Sequence, residues 1–271
     1  MNETTGGHTT RDGLKLFTRT WSPEEPARGM LIHHGLGEHS GRWHHVARFF
    51  VKQGYAVAAF DMRGHGESEG TRAYVHSFTD FLDDVEDIVQ SDLVRTDLPW
   101  VLYGHSLGGL ISTHYLADER PHPDAAILSA PALTDELPTA LRLAARVLSK
   151  VAPKLSLDNS ISGDQLSRDE TVGEAYFADP LVLTKGTPGL AVAAFGAQDR
   201  SADVIGNIDT PTFVIHGGDD PLVPPAGSAR LAAVPAVERK VYPGLRHEMH
   251  NEPEQAQVLG EVAVWLDSIL V

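Results

Sequence analysis

The chain has 271 residues, 42% of them hydrophobic and 22% charged, which is the composition of a soluble globular protein long enough to bury a sizeable core. Its formal net charge of −15 argues against a nucleic-acid partner, because it would repel a phosphate backbone. It contains no cysteine, which excludes disulfides, thiolate nucleophiles and cysteine-based zinc sites together.

The opening stretch "MNETTGGHTTRDG" is polar and has no apolar centre, so a secretory leader is not expected. "LKLFTRTW" alternates apolar and polar residues after the turn signal Asp12-Gly13, which predicts an antiparallel pair of strands. The pattern then changes to short apolar runs separated by helical periods. "GMLIHHG" reads as a buried strand, and "RWHHVARFFVKQG" as a helix ending at Gly54. "YAVAAFDMRG" is a second buried strand, followed by the acidic helix "FTDFLDDVEDIVQSDLV". "PWVLYG" and the helix "GGLISTHYLADE" come next, then the strand "DAAILSAPAL". After an interruption come the strands "TPTFVIHG" and "ERKVYPG", and the amphipathic helix "PEQAQVLGEVAVWLDSILV" closes the chain. Alternating strands and helices, with strands apolar on both sides, predict a mostly parallel sheet flanked by helices.

The interruption spans 134–209 and has helical pieces but no convincing buried strand. It sits between two strands of the sheet and is read as an insertion at the strands' carboxyl ends, where open α/β sheets bind ligands. We therefore expect a core domain formed by 1–133 and 210–271, with 134–209 inserted as a helical cap. No apolar run approaches the ~18 residues of a membrane span. A cytoplasmic location is expected, and it is compatible with peripheral contact at a membrane.

Two segments match G-x-S-x-G, a pattern that marks the nucleophile of many serine hydrolases. They are Gly66-Glu67-Ser68-Glu69-Gly70 and Gly104-His105-Ser106-Leu107-Gly108. Such a nucleophile stands on a sharp turn between a strand and a helix, with glycines that let the backbone pass. Ser106 meets each condition. Ser68 follows a Gly-rich loop, is flanked by two glutamates that oppose an oxyanion, and precedes no helix start. Ser106 is the predicted nucleophile, and Ser68 a loop residue.

A serine hydroxyl needs a positioned base. In this architecture the chain order is serine, acid, histidine. His247 lies just past the strand "ERKVY", at the carboxyl edge of the sheet, and is the best base among the histidines after Ser106. "HEMH" is one residue short of the zinc motif H-E-x-x-H, and no other metal-ligand spacing stands out. The acid belongs in "HGGDDPLVPP", where Asp219 and Asp220 are equally placed by spacing alone. An oxyanion hole needs two backbone N–H donors. They are predicted at Leu107, after the nucleophile, and at Leu36, after "LIHHG".

Taken together, "HGLGEHSGR", "DMRGHGESEG", "GHSLGG", "LSAPAL", "LSRD", "DPLV" and "YPGLRHEMHNEP" resemble the monoacylglycerol lipases of the α/β-hydrolase fold, from about Leu31 to the C-terminus. The resemblance implies that the acid is Asp220, the base His247 and the oxyanion donors Leu36 and Leu107. It implies recognition of glycerol by Glu38, Arg42 and His250, with a Glu38–Arg42 loop salt bridge as the alternative. It implies hydrolysis of a monoacylglycerol or similar single-chain lipid ester without a cofactor. The lid cysteines of animal members are absent, so no thiol-dependent behaviour is implied. A lysophospholipase or broad carboxylesterase would use the same machinery. A non-catalytic binding protein on this fold would carry a damaged triad, and here every member is present.

In "ELPTALRLAARVLSKVAPKL", Leu137, Leu141, Ala144, Leu148 and Val151 recur at helical spacing, and Arg142, Arg146 and Lys150 share a basic face. A basic amphipathic helix can lie on an anionic membrane, whereas most such stripes pack on their own core.

Overall fold

A computed structural model describes residues 2–159 and 161–270. The chain opens with the antiparallel hairpin β1 (Asn2–Thr9) and β2 (Lys15–Ser22), joined across the Asp12-Gly13 turn, where Gly13 has φ +86°. β3 (Arg28–His33) leads through a 3-10 turn into α1 (His44–Lys52), and Gly54 at φ +86° turns the chain into β4 (Tyr55–Phe60). α2 (Phe78–Val89) starts at a capping box, in which Ser77 and Asp80 satisfy free N–H groups of the first turn. β5 (Trp100–His105), α3 (Leu107–Leu116) and β6 (Ala125–Ser129) follow.

The insertion contains α4 (Thr139–Val151), β7 (Leu157–Asp158), α5 (Gly163–Leu166), α6 (Glu170–Ala178), β8 (Lys185–Gly186) and α7 (Pro188–Val204). β9 (Thr212–Gly217), α8 (Pro225–Ala229), β10 (Val237–Tyr242) and α9 (Gln255–Ile269) complete the chain. The strands of the main sheet run β1-β2-β4-β3-β5-β6-β9-β10, parallel from β4 to β10. In the main sheet β2 alone runs the other way, antiparallel to both its neighbours β1 and β4.

Apolar residues on both sides of the parallel strands demand two helical layers. α1 and α9 cover one face, with Val46, Phe50, Val258 and Val262 meeting Ile32, Tyr103 and Ile215. α2, α3 and α7 cover the other, with Val85, Leu110 and Leu190 meeting Leu31, Leu102 and Leu128. Every residue of α3 is buried, as expected of a helix apolar on all sides.

Within 134–209 the packing is of two kinds. α7 contributes Leu190 and Ala197 to the main core and lies against α3, so it serves the sheet as well as the cap. α5 and α6 form a small separate cluster around Leu166, Tyr176 and Val182. α4 buries none of its residues fully and rests on α7. Arg142 and Arg146 both pair with Asp199 of α7, at 3.0 and 3.1 Å, and the Arg142 guanidinium lies over the Phe195 ring, while Arg146 and Lys150 stay exposed. The exposed surface of α4 also carries apolar side chains, with Leu141 56% and Val151 75% exposed beside Leu143 and Val147.

Candidate active site

β3 is the point where the strand order reverses, with β4 on one side of it and β5 on the other. The crevice outside such a switch point is the usual ligand site of an open α/β sheet. Four loops meet there, after β3, β5, β9 and β10. They carry residues 34–39, Ser106, Asp220 and His247 respectively.

Ser106 sits between the last residue of β5 and the first of α3 with φ 54° and ψ −117°. This conformation costs a non-glycine residue about 1–3 kcal/mol and persists only when its surroundings impose it. The surroundings do so. The Ser106 N–H donates to the Ser129 carbonyl at 3.0 Å, and its carbonyl accepts the N–H groups of Leu110 and Ala132, each at 3.0 Å. The glycines are needed for space: a Cβ on Gly108 would stand 2.3 Å from the carbonyl oxygens of His33 and His34, and one on Gly104 2.4 Å from Ser112 Oγ. The helix therefore starts immediately at Leu107 and directs its N-terminal dipole at the serine.

Ser68 has another task. Its hydroxyl accepts the Phe17 N–H at 2.8 Å and donates to the Asp61 carbonyl at 2.5 Å, tying the loop after β4 to β2. It is buried and fully engaged by backbone.

The two adjacent aspartates separate cleanly. Asp219 is exposed, and Asp220 is buried. Asp220 Oδ1 accepts the N–H groups of Leu222 and Val223, both at 2.9 Å, and Oδ2 accepts from His247 Nδ1 at 2.7 Å. Burial pushes the Asp220 carboxyl up, but His247, His216 and the Val223 amide outweigh it and hold it well below the usual carboxylate range. Burial likewise pushes the His247 imidazole down, and the Asp220 carboxylate overcomes this and raises it above its ordinary value. The neighbouring Glu248 and Glu38 add to that rise. With Nδ1 bound to Asp220, Nε2 is the nitrogen left for proton transfer. The His247 ring lies 4.8 Å, centroid to centroid, from the ring of His105, the residue preceding Ser106.

Leu107 follows Ser106 as the first residue of α3, and Leu36 lies in the loop after β3. Among the described residues neither N–H donates to a protein acceptor. Next to Leu36, the Gly35 amide donates to Glu38 Oε1 at 2.5 Å, and a Cβ at Gly35 would come within 3.0 Å of Ser106 Cβ. The loop carrying one candidate donor thus runs directly past the candidate nucleophile.

Glu38, Arg42 and His250 are also brought together, but mainly by contacts among themselves and their neighbours. Glu38 Oε2 accepts from Arg42 and from the Trp43 indole, each at 3.1 Å. Arg42 makes two further bonds to Glu248, at 2.7 and 2.8 Å. The His250 ring stacks on Trp43 at 4.2 Å and meets His105 edge-on at 4.9 Å. Its Nδ1 is buried and without a partner among the described residues. Burial, and then the nearby His105, hold the His250 ring well below its ordinary pKa, so it is neutral.

Several supporting residues escape a reading of the sequence. His216 places Nε2 3.3 Å from Asp220 Oδ2 and 2.9 Å from the Val223 carbonyl, behind the acid. His34 accepts the Met62 N–H at 2.9 Å and so locks the loop after β3 to the loop after β4. Glu252 is fully buried and accepts the Arg246 N–H together with Ser167 Oγ and Arg168 Nε. It fastens the base-bearing loop to the cap. The Leu183 N–H donates to the Gly37 carbonyl at 2.7 Å and the Glu248 N–H to the Leu166 carbonyl at 2.8 Å, so the cap is joined to two of the site's loops. Among the described residues, no group of three or more His, Asp or Glu side chains is placed to hold a metal ion.

Known proteins share this arrangement of sequence and fold. Residues 24–254 match the family model described as Hydrolase_4, serine aminopeptidase S33. The chain is 38% identical to the monoacylglycerol lipase of Mycolicibacterium smegmatis, over 95% of each chain. It is 30% identical to phospholipase YtpA of Bacillus subtilis, over 93% of this chain and 99% of that one. The crystal structure of Paleococcus ferrophilus monoacylglycerol lipase superposes with a TM-score of 0.85 at 29% identity, over 93% of this chain and 98% of that one.

Proposed function

The chain belongs to the monoacylglycerol lipase family of the α/β hydrolases, and we propose that it cleaves the acyl chain from a monoacylglycerol to give fatty acid and glycerol. The reading is carried by one observation. A buried Asp220–His247 pair lies at the same sheet edge as a strained Ser106, in a chain that resembles a monoacylglycerol lipase over nearly its whole length. In this reading Ser106 Oγ attacks the ester carbonyl while His247 Nε2 takes its proton. Asp220 holds the tautomer and stabilises the imidazolium. The N–H groups of Leu36 and Leu107 bind the tetrahedral oxyanion. His247 then protonates the leaving glycerol, and later activates the water that releases the fatty acid. The chemistry needs no cofactor. We place the cap at 134–209, with α7 shared between cap and core.

The similarity to a phospholipase supports a second reading, a lysophospholipase with the same machinery. Turnover of a monoacylglycerol, a diacylglycerol, a lysophosphatidylcholine and short p-nitrophenyl esters tests the choice. Preference for the lysophospholipid would displace the first reading.

We assign Glu38, Arg42 and His250 to the glycerol side of the substrate. His250 is the clean test. Arg42 is part of a buried ion-pair network, and removing one partner of such a network costs about 3–5 kcal/mol in stability. His250→Leu should reduce kcat/KM for a monoacylglycerol more than for a fatty-acid p-nitrophenyl ester. The difference corresponds to roughly 1–3 kcal/mol, the range for an unpaired polar partner. Equal losses on both esters would reduce His250 to a support for Trp43.

A water-insoluble substrate also requires a route into the site. The exposed apolar residues of α4 support transient contact with a membrane surface, through Leu141, Leu143, Val147 and Val151. Replacing Leu143 and Val147 with serine should weaken binding to neutral phosphatidylcholine vesicles by about tenfold, with cleavage of a soluble ester retained. Binding that survives the change, or that needs anionic lipid, would refute this account. No helix among the described residues is long and apolar enough to cross a membrane.

A further inference from the structure

The residue after the base is unusual for its place. Glu248 is a carboxylate 2% exposed, one position from His247, at the heart of an ester-hydrolysing site. A buried charge of this kind is tolerated only when it is paired and hydrogen-bonded. Glu248 takes both arms of the Arg42 fork, at 2.7 and 2.8 Å, and the Asn251 side-chain amide at 2.7 Å. Arg42 is at the same time bound to Glu38, whose remaining contacts, the Gly35 amide and the Trp43 indole, are N–H donors as well. A carboxylate that meets only donors is favoured in its ionised form. Burial and Glu248 raise the Glu38 pKa, while Arg42 and its own hydrogen bonds hold Glu248 low despite burial. Two carboxylates therefore share one guanidinium, which leaves the group negative overall.

Among the described residues the other guanidinium groups near it are engaged elsewhere, Arg19, which reaches Gly41, by Glu3. Arg42 borders a cleft of about 320 Å³ that runs between the loop after β3, α6 and Asn251. Its remaining charged lining residue is Asp179, a further carboxylate, which bonds His39 Nε2 at 2.9 Å. Arg246 turns to the carbonyls of Asp164 and Ser167, and Arg168 to Glu252 and Glu254. The cleft beside Arg42 therefore offers hydrogen-bond partners and negative charge, and Arg42, the one guanidinium among its lining residues, is already engaged by Glu38 and Glu248.

We propose that Glu248 is a specificity-determining residue: by occupying Arg42 jointly with Glu38, it makes the leaving-group side of the site accept a neutral polyol and reject an alcohol that carries a phosphate. Discrimination then comes from a repulsive element as much as from an attractive one. The inference rests on the monoacylglycerol reading and narrows it against lysophospholipids.

The test compares two esters that differ only in a phosphate on the leaving alcohol, 1-oleoylglycerol and 1-oleoyl lysophosphatidic acid, in the same neutral detergent micelles. The natural protein should favour the neutral ester by about 100-fold or more in kcat/KM, since a like charge facing an unpaired anion strongly disfavours the wrong partner. In Glu248→Gln one arm of Arg42 is released and the cluster becomes neutral, so the ratio should fall by about tenfold, with circular dichroism to confirm folding. Comparable turnover of both esters by the natural protein overturns the proposal. So does an unchanged ratio in a folded Glu248→Gln.

A measurement on the natural protein alone decides the matter if that variant does not fold. Glycerol and glycerol 3-phosphate are compared as inhibitors of p-nitrophenyl butyrate hydrolysis. Glycerol should inhibit at concentrations where the phosphate does not, and equal or stronger inhibition by the phosphate would sink the idea. Failure to cleave 1-oleoylglycerol, with the p-nitrophenyl ester still cleaved, would count against the monoacylglycerol reading. The inhibition experiment would then still report on anion rejection.

Discussion

Ser106→Ala is expected to abolish ester hydrolysis and covalent labelling by a fluorophosphonate, while Ser68→Ala leaves both nearly intact. Loss of a serine nucleophile from a complete triad lowers turnover by a factor on the order of 10⁶, because the base and acid have nothing left to activate. The two serines share a sequence pattern and differ in everything physical. Ser106 lies at a strand-to-helix corner with φ 54°, and the N–H groups of a buried helix face it. Ser68 is locked between the Phe17 amide and the Asp61 carbonyl. Removing the Ser68 hydroxyl leaves that amide without an acceptor, so the variant should lose roughly 1–3 kcal/mol of stability instead of activity. Thermal melts, turnover and labelling read the two effects separately. A Ser68→Ala protein that melts normally yet cannot be labelled would reverse the assignment.

What the sequence disclosed and what it concealed follow from the range of the interactions. Strand runs such as "YAVAAF" and "WVLYGH" were legible because burial on both faces leaves an uninterrupted apolar signal. The elbow was legible because steric need concentrates glycine within a few residues of Ser106. The order serine, acid, base followed from the order of the loops. Between Asp219 and Asp220 the sequence was silent, since adjacent residues in a loop differ only in which way they point. That direction is set by the Leu222 and Val223 amides and by His247, which is 27 positions away from Asp220. Glu248 and Glu252 were hidden for the same reason. Their meaning lies in Arg42 and Arg168, more than 80 positions earlier. The α4 stripe showed amphipathicity but not that Arg142 and Arg146 pair with Asp199 on α7.

Asp220→Asn is expected to lower kcat by a factor on the order of 10⁴, the scale seen when a triad acid is replaced by its amide. Asp219→Asn should change it less than about threefold, as for a surface charge away from the reacting atoms. The first effect has two sources. An asparagine amide can offer its N–H₂ to His247 Nδ1 and so place the ring proton on Nε2, where it blocks removal of the Ser106 proton. It also removes the negative charge that stabilises the imidazolium. The second source has a signature of its own. Asp220 raises the His247 pKa, and the base works only when neutral, so activity in the natural protein falls as pH drops through that raised value. Without the carboxylate, burial acts with less opposition and the His247 pKa falls. The residual activity of Asp220→Asn should therefore persist to lower pH than that of the natural protein. A pH profile of kcat/KM measured on a soluble ester resolves the shift. Reversed ranking of the two aspartate variants, or an acid limb that stays in place when Asp220 is neutralised, would show that another group sets the state of His247.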